Sequence, residues 1–330
     1  MLAQDLRSRS GSRPVMLKDI VLRNFKCHEA IEFTNLPPLV VLMGRNNSGK
    51  SSVLHSATIP KYGWGESAPT GVPDDLLRKG ATDGSAVIRF SDLDGEVPIR
   101  LSRENAPLVD WQPTGPRPEQ MGRALYYLSP LRTPQYGFQY QRYFPDVGTR
   151  GETTWNILHQ LKANEDPAFA RIIKFLRAMG MGTSTITTPT REPGAGEIRP
   201  VSFGNPVNLM GNGAGVWSVL PILTQGSLCT AGSTLLVEEP EIHLHRAAIN
   251  GLWDFVADCL TRGVQVICTS HSFELALAMG DRISNGTLPR GSKLFLMTRN
   301  EDGQTSYRER DPTIEQHGRN DLAAALAAFG

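Results

Sequence analysis

The octapeptide "GRNNSGKS", Gly44 to Ser51, constrains this chain more than any other stretch because of what flanks it. It follows the apolar run "PPLVVLMG", which reads as a buried strand, and it opens a segment that reads as a helix through about Thr58. The pattern is GxxxxGK[ST]. Its glycines let the main chain wrap closely, so that N–H groups of the loop and of the helix N-terminus can cradle phosphate oxygens. On this reading Gly44, Arg45, Asn46, Asn47, Ser48, Gly49, Lys50, Ser51 and Ser52 form the cradle. Lys50 would reach the β- and γ-phosphates of ATP, and the Ser51 hydroxyl would ligate Mg2+. A glycine-rich turn with no ligand is the bland alternative, and the strand-before, helix-after context weighs against it.

A second stretch, "LLVEEPEIHLH" from Leu235 to His245, is an apolar run that ends abruptly in carboxylates. Alone it reads as a metal site, a catalytic base or a solvated strand end. In a chain with a phosphate loop, an acid at the end of a second strand helps hold Mg2+. Glu238 fits that position and Glu239 follows at once. Successive residues at a strand end point differently, so one carboxylate can face the metal's water shell and the other an attacking water. A zinc reading of His243 and His245 is weaker, because HxH supplies two ligands and the HExxH helix pattern is absent. The third stretch is "VICTSHS", again a strand, ending in Ser270, His271 and Ser272. A lone histidine is more often structural than functional, but after two nucleotide motifs His271 becomes a candidate for the γ-phosphate.

Between these motifs the chain alternates strand and helix, which implies a largely parallel sheet. "LKDIVLRNFKCHEAIEF" reads as two short strands turning near Cys27, and "GSAVIRFSDLDGEVPIRLS" as a hairpin turning at Asp94-Gly95. Residues 104–123 are rich in Pro and Gly and read as loop. The pattern from Trp155 to Met179 is helical, closed by Gly180 and Gly182, and "TSTITTPTREPGAGEIRPVSF" has strand-like alternation. Helices are expected over 215–223, 246–259 and 273–279, and strands over 235–237, 265–269 and 293–298. No heptad repeat is sustained, which excludes a long coiled-coil arm.

Composition adds limits rather than direction. Charged residues make up 20% of the 330 and the net charge is +1, so nothing here predicts nucleic-acid binding. No apolar run approaches the roughly 20 residues that span a bilayer, and a membrane partner is not expected. The Arg/Ser-rich residues 1–15 lack the apolar core of a secretion signal and read as a flexible tail. The four cysteines are scattered with no CxxC pair, which fits a cytoplasmic location better than a disulfide or zinc framework.

Taken together, "GRNNSGKS", "LLVEEPEIHLH" and "VICTSHS" resemble the ABC-type AAA ATPases of the SMC/RecF class, with closest resemblance to stand-alone OLD-like bacterial ATPases. "IVLRNFKCHEAIEF" is similar to that group's opening hairpin, and "YYLSPLRTP" to its Tyr-x-x-Pro-x-Arg segment. "VGTRGETTWNIL" is similar to its Val-Gly-x-x-Gly-Glu stretch, and "NLMGNGAGVWSVLPIL" falls at its signature motif. The resemblance implies an α/β P-loop NTPase fold: an ABC-ATPase head with a mostly parallel sheet core, an antiparallel β lobe and a helical lobe. One domain over 16–330 is implied, divided at 16–103, 104–225 and 226–330 into β lobe, insertion with signature lobe, and second half of the core. It further implies a dimer, or higher homo-oligomer, closed over ATP. Glu238 becomes the Mg2+-associated acid, Glu239 the general base, His271 the switch histidine, and Gly213 and Gly215 the signature residues that meet the partner's nucleotide.

The signature departs from the family where this chain has Met210, Trp217 and Ser218, which removes donors expected at the partner's phosphate and leaves full turnover in question. Arg246 also stands where a proline is common. Fifty-eight residues follow "VICTSHS", too few for the Toprim nuclease domain of OLD proteins. The implied role is therefore a switch or motor for a separately encoded effector, a nuclease among the candidates, in anti-phage defence or DNA metabolism. Rivals are a RecF-like ATPase that clamps DNA, and a scaffold in which bound ATP only holds an assembly together. A transporter subunit fits poorly, since "LSGGQ" is absent. Arg132 of "SPLRTP" could sense nucleotide, touch DNA or tie lobes together. The Tyr and Arg residues of 136–143 could stack on bases, though filling a lobe interface is favoured.

Overall fold

The computed structural model describes residues 16–63, 69, 75–91, 96–102, 108–109, 124–132, 144–192 and 195–312. The expected tail at 1–15, the turn at Asp94-Gly95, the 136–143 cluster and the helix-like end at 321–330 lie outside them. The chain divides into two compact units. A β-rich unit comprises the described parts of Arg13–Tyr126, Ala231–Leu236 and Gly263–Gly330, and a helical unit comprises those of Tyr127–Thr230 and Val237–Arg262.

In the β-rich unit, β1 (Leu17–Phe25) and β2 (His28–Phe33) form the expected opening hairpin, with Phe25 opposite His28 around a tight Lys26–Cys27 turn. Lys26 turns at φ 51°. They join β4 (Asp83–Phe90), β5 (Glu96–Ser102) and β6 (Leu108–Val109) in an antiparallel sheet of order β2-β1-β4-β5-β6. β6 corrects the reading of 104–123 as loop throughout.

The second sheet contains β3 (Leu39–Met43), β7 (Leu125–Leu128), β13 (Thr234–Glu238), β14 (Gln265–Ser270), β15 (Lys293–Arg299) and β16 (Thr305–Arg310). Its order is β16-β15-β3-β14-β13-β7. β3 pairs parallel with both β14 and β15, and β16 closes one edge antiparallel. Every residue of β3, β13 and β14 is buried, as expected of parallel strands covered on both faces. β7 and β13 each run on at their C-terminal ends into the helical unit. β16 has no counterpart in the sequence reading, because "TSYRER" alternates polar with polar and carries no apolar face. The unit's helices are α1 (Lys50–Tyr62) and α6 (Phe273–Ser284).

The helical unit holds α2 (Thr154–Ala163), α3 (Pro167–Ala178), α4 (Ala214–Leu228) and α5 (Arg246–Thr261). The helical pattern from Trp155 to Met179 is thus carried by two helices. Glu165 turns at φ 51°, and Asp166 then caps α3 by accepting from Ala168 N at 2.8 Å with Pro167 in the first turn. Two small sheets complete the unit, of order β12-β11-β8 and β10-β9. They comprise β8 (Thr183–Thr187), β9 (Thr190–Glu192), β10 (Ala195–Gly196), β11 (Arg199–Ser202) and β12 (Asn205–Pro206), in the stretch read as strand-like. Among the described residues, no helix is long and apolar enough to cross a membrane.

Candidate nucleotide site

β3 delivers the chain to Gly44, whose N–H donates to Ser270 O at the end of β14. Only glycine fits there, because a Cβ would strike Met297 O and stand 2.7 Å from Ser48 Oγ. The loop then turns through Asn47 (φ 66°) and Gly49 (φ 93°) into α1. The α1 N-cap, Gly49, offers no side chain to the first-turn N–H groups, whereas Asp166, His245 and Ser272 cap α3, α5 and α6. An uncapped N-terminus with its dipole facing the loop favours an anion. Lys50 is buried and its Nζ donates to Gly44 O at 2.7 Å and Arg45 O at 2.8 Å, which keeps its charge over the loop. Ser51 and Ser52 lie in the first turn of α1. The buried Ser48 hydroxyl has no hydrogen-bond partner in the structure, a cost that a phosphate oxygen would remove.

Two contacts brace this loop that sequence reasoning missed. His28 Nε2 lies 3.1 Å from Gly49 O, and Arg299 donates to Asn47 Oδ1 at 3.0 Å. The exposed residues Arg45, Asn46 and Asn47 also line a cavity of about 700 Å³, with Met297, Thr298 and Arg299 of β15 and Asn300, Glu301 and Gly303 of the β15–β16 turn. His271 lies just beyond β14 and is exposed; its neighbour Ser272 caps α6 by accepting from Leu275 N at 3.3 Å. The loop and His271 thus belong to the β-rich unit.

The acids belong to the helical unit. Glu238 is the last residue of β13 and buried, and its Oε1 accepts from the Tyr127 hydroxyl at 2.8 Å. Glu239 is half-buried and turns at φ 45°, in the left-handed region. Around this turn Arg132 is wholly buried and donates to main-chain oxygens of Ser129, Ser218, Glu238 and Glu239. All four partners lie in its own unit. Burial lowers its pKa to about 10, against the pull of Glu241, Glu239 and Glu238, and the group stays cationic at neutral pH.

The signature segment follows a short 3-10 turn, Leu209–Gly211, which contains Met210. Gly213 (φ 84°) is the N-cap of α4 and, like Gly49, supplies no capping side chain. Gly215 packs so closely on the loop after β13 that a Cβ would sit 2.9 Å from His243 O. The Trp217 ring lies 5.7 Å from that of His243, and Ser218 Oγ donates to Ile242 O at 2.9 Å and Gly215 O at 3.1 Å. His245 is occupied as the α5 cap, with Nδ1 accepting from Ala248 N at 3.3 Å. Glu238, Glu239, Gly213, Gly215 and Arg132 are therefore brought together within one unit, with Tyr127 as a further residue the sequence reading did not single out.

The glycine-rich loop lies between a parallel strand and a helix that opens without a capping side chain, and the fold is that of SMC-type ATPase heads. The family model described as "AAA domain, putative AbiEii toxin, Type IV TA system" matches residues 203–278. Among solved structures, the chain resembles an SMC head bound to the C-terminal winged-helix domain of ScpA, with TM-score 0.60 and 12% identity over 92% of this chain and 99% of that one. A Pyrococcus furiosus Smc head with an extended coiled coil, bound to the C-terminal domain of ScpA, gives TM-score 0.59 at 12% identity over 95% and 100%. The SMC head domain of Thermotoga maritima gives 0.51 at 13% identity over 91% and 99%.

Proposed function

We propose that this chain binds and hydrolyses ATP with Mg2+, and that two copies close over nucleotide to act as a switch for a separate effector. The observation that carries the reading is the loop itself. Gly44 and Gly49 admit close approach, α1 opens at a glycine that supplies no capping side chain, and the Lys50 ammonium is held over the loop. ATP with Mg2+ supplies the phosphoanhydride and the Lewis acid that make phosphoryl transfer to water feasible. Gly44 to Ser52 bind and orient the phosphates, and Lys50 balances their charge. On the motif resemblance, Ser51 and Glu238 are the residues that would hold the metal's shell. Among the described residues no cluster of three or more His, Cys, Asp or Glu is disposed as a metal cage. That accords with Mg2+, which is commonly held by one or two carboxylates together with substrate phosphates. On the same resemblance, Glu239 would accept the proton of the attacking water, and His271, just beyond β14, would be the residue that senses the γ-phosphate. The uncapped α4 N-terminus at Gly213 and Gly215 meets the second copy's nucleotide.

The effector is proposed as a separate protein, in a cytoplasmic setting of anti-phage defence or DNA metabolism. Support comes from the motif resemblance and from the toxin–antitoxin description of the family matching the signature-to-β14 region. Phosphate release by wild type beside Glu239→Gln tests the reading. Wild-type turnover that falls at least about 100-fold in the variant, with ATP binding kept, supports Glu239 as base. Equal rates in both would overturn that role.

A second reading, an ATP-held scaffold with little turnover, is favoured by one observation. The Ser218 hydroxyl is turned inward onto Gly215 O and Ile242 O, and Trp217 stands where relatives carry a donor. Wild-type protein that binds ATP, dimerises and releases no phosphate would select it. DNA as a partner is a third test: binding that requires ATP and weakens steeply with salt would add a clamp to the switch.

A further inference from the structure

We propose that Arg132 is a positioning residue that locks the Glu238–Glu239 main chain to the first turns of α4, so that the base-bearing turn and the signature helix move as one block. This rests on the ATPase reading for its meaning, though not for its geometry. Arg132 Nε donates to Ser218 O at 2.7 Å. One terminal nitrogen donates to Glu238 O at 2.7 Å and Ser129 O at 2.9 Å, and the other to Glu239 O at 2.9 Å. A guanidinium has five N–H donors in a fixed plane, and four of these bonds go to carbonyl oxygens. The side chain is 0% exposed. The fifth N–H is buried with the rest of the side chain, out of reach of a phosphate or a DNA backbone, which removes two of the three roles open at the level of sequence. The third, tying lobes together, gives way to a tie inside one unit.

The choice of carbonyl partners is informative. A carboxylate can swivel under its partner, whereas a bond to a main-chain oxygen fixes a peptide plane. Arg132 fixes the planes on both sides of the Glu239 Cα, and Glu239 sits at φ 45°, a conformation that costs free energy for any non-glycine residue. These bonds offset that cost and set the direction in which the Glu239 side chain leaves the main chain. A second tie runs parallel to the first, from Ser218 Oγ to Ile242 O, and Gly215 lies directly against His243 O. A lysine could not substitute, because a single ammonium on a flexible stem cannot span four carbonyls on three segments.

The test compares wild type, Arg132→Lys and Ser218→Ala by amide hydrogen exchange without nucleotide, by ATP–Mg2+ affinity and by turnover. In Arg132→Lys, exchange is expected to quicken together in residues 214–220 and 239–244, with the β-rich unit unchanged. ATP affinity should stay within about threefold and kcat fall by about tenfold or more, the split expected of a group acting only on the base. Faster exchange spread evenly over the chain, or an unchanged kcat in a folded variant, would overturn the proposal. Should Arg132→Lys fail to fold, Ser218→Ala decides: coupled loosening of the same two segments supports the block, and loosening of only one overturns it. A wild type that releases no phosphate would defeat the ATPase reading while leaving the exchange result to judge Arg132.

Discussion

His28 shows how much one side chain contributes to the loop at a distance in sequence. Its ring is 0% exposed, with Nε2 3.1 Å from Gly49 O and Nδ1 2.6 Å from Thr305 Oγ1. A carbonyl oxygen can only accept, so Nε2 carries the proton and Nδ1 accepts from the threonine. Because the Gly49 carbonyl and the Lys50 N–H share one planar peptide and point oppositely, holding the first aims the second back toward the loop. Burial first, and then Arg299, lower the His28 pKa to about 4, against the opposing pull of the Gly49 bond. Above pH 6.5 both folded and unfolded chains hold the ring neutral, and its contribution is complete. As pH falls from 6.5 to 4 the unfolded chain gains a proton that the folded ring refuses, and roughly 3 kcal/mol of stability is lost. His28→Gln keeps a donor for Gly49 O and removes the titration. Its Tm should therefore fall less than wild type across that window, and parallel curves would refute the assignment. Nothing in "NFKCHEAIEF" announces this role, since the partners lie 21 and 277 residues away. The loop motif was legible because glycine spacing, strand and helix are all local, whereas its braces, His28 and Arg299, depend on register across β1, β2, β15 and β16.

At the scale of elements, helix ends and close approaches were the least legible features. α1 continues to Tyr62 through Pro60, and α4 to Leu228 through Pro221, beyond the limits expected at Thr58 and Leu223. Both prolines are buried, and tertiary packing carries the helices past a residue that disfavours them locally. The reverse happens at 164–166, where a helical pattern hides the break made by Asp166-Pro167. Gly251 in α5 illustrates a signal of opposite meaning. In sequence it is a helix-weakening residue, but in the fold a Cβ there would stand 2.8 Å from Met179 Cγ and 2.9 Å from the Met179 main chain. The residue after α3 approaches α5 too closely for any side chain, and backbone cannot yield as a side-chain tip can. Gly251→Ala should cost about 1–3 kcal/mol despite its better helix propensity. Thermal or denaturant unfolding measures this; an alanine variant as stable as wild type would mean that the two segments are less tightly apposed than described.

For the whole molecule, the class of fold was readable because three strand ends carry the motifs in order, and those strands are buried runs that hide little. The signature lobe was readable only as a resemblance, since α4 begins at glycines whose proposed meaning depends on a second copy of the chain. That meaning can be tested at Ala214, the first residue of α4 and half-exposed. A glutamate there sits in the first helical turn, where the helix dipole favours a negative charge by about 0.3–1 kcal/mol, so Ala214→Glu should fold at least as well as wild type. On the proposed reading, the same carboxylate would face the triphosphate bound by the opposite protomer and repel it at short range. The comparison is made in a Glu239→Gln background, which slows turnover and should let ATP–Mg2+ double the mass measured by light scattering. Adding Ala214→Glu should keep the protein monomeric with ATP while leaving ATP binding within about threefold, because each protomer's own loop is untouched. A full-strength ATP-dependent dimer carrying the added glutamate would show that α4 does not meet nucleotide across the interface, and the closed-dimer part of the proposal would fall with it.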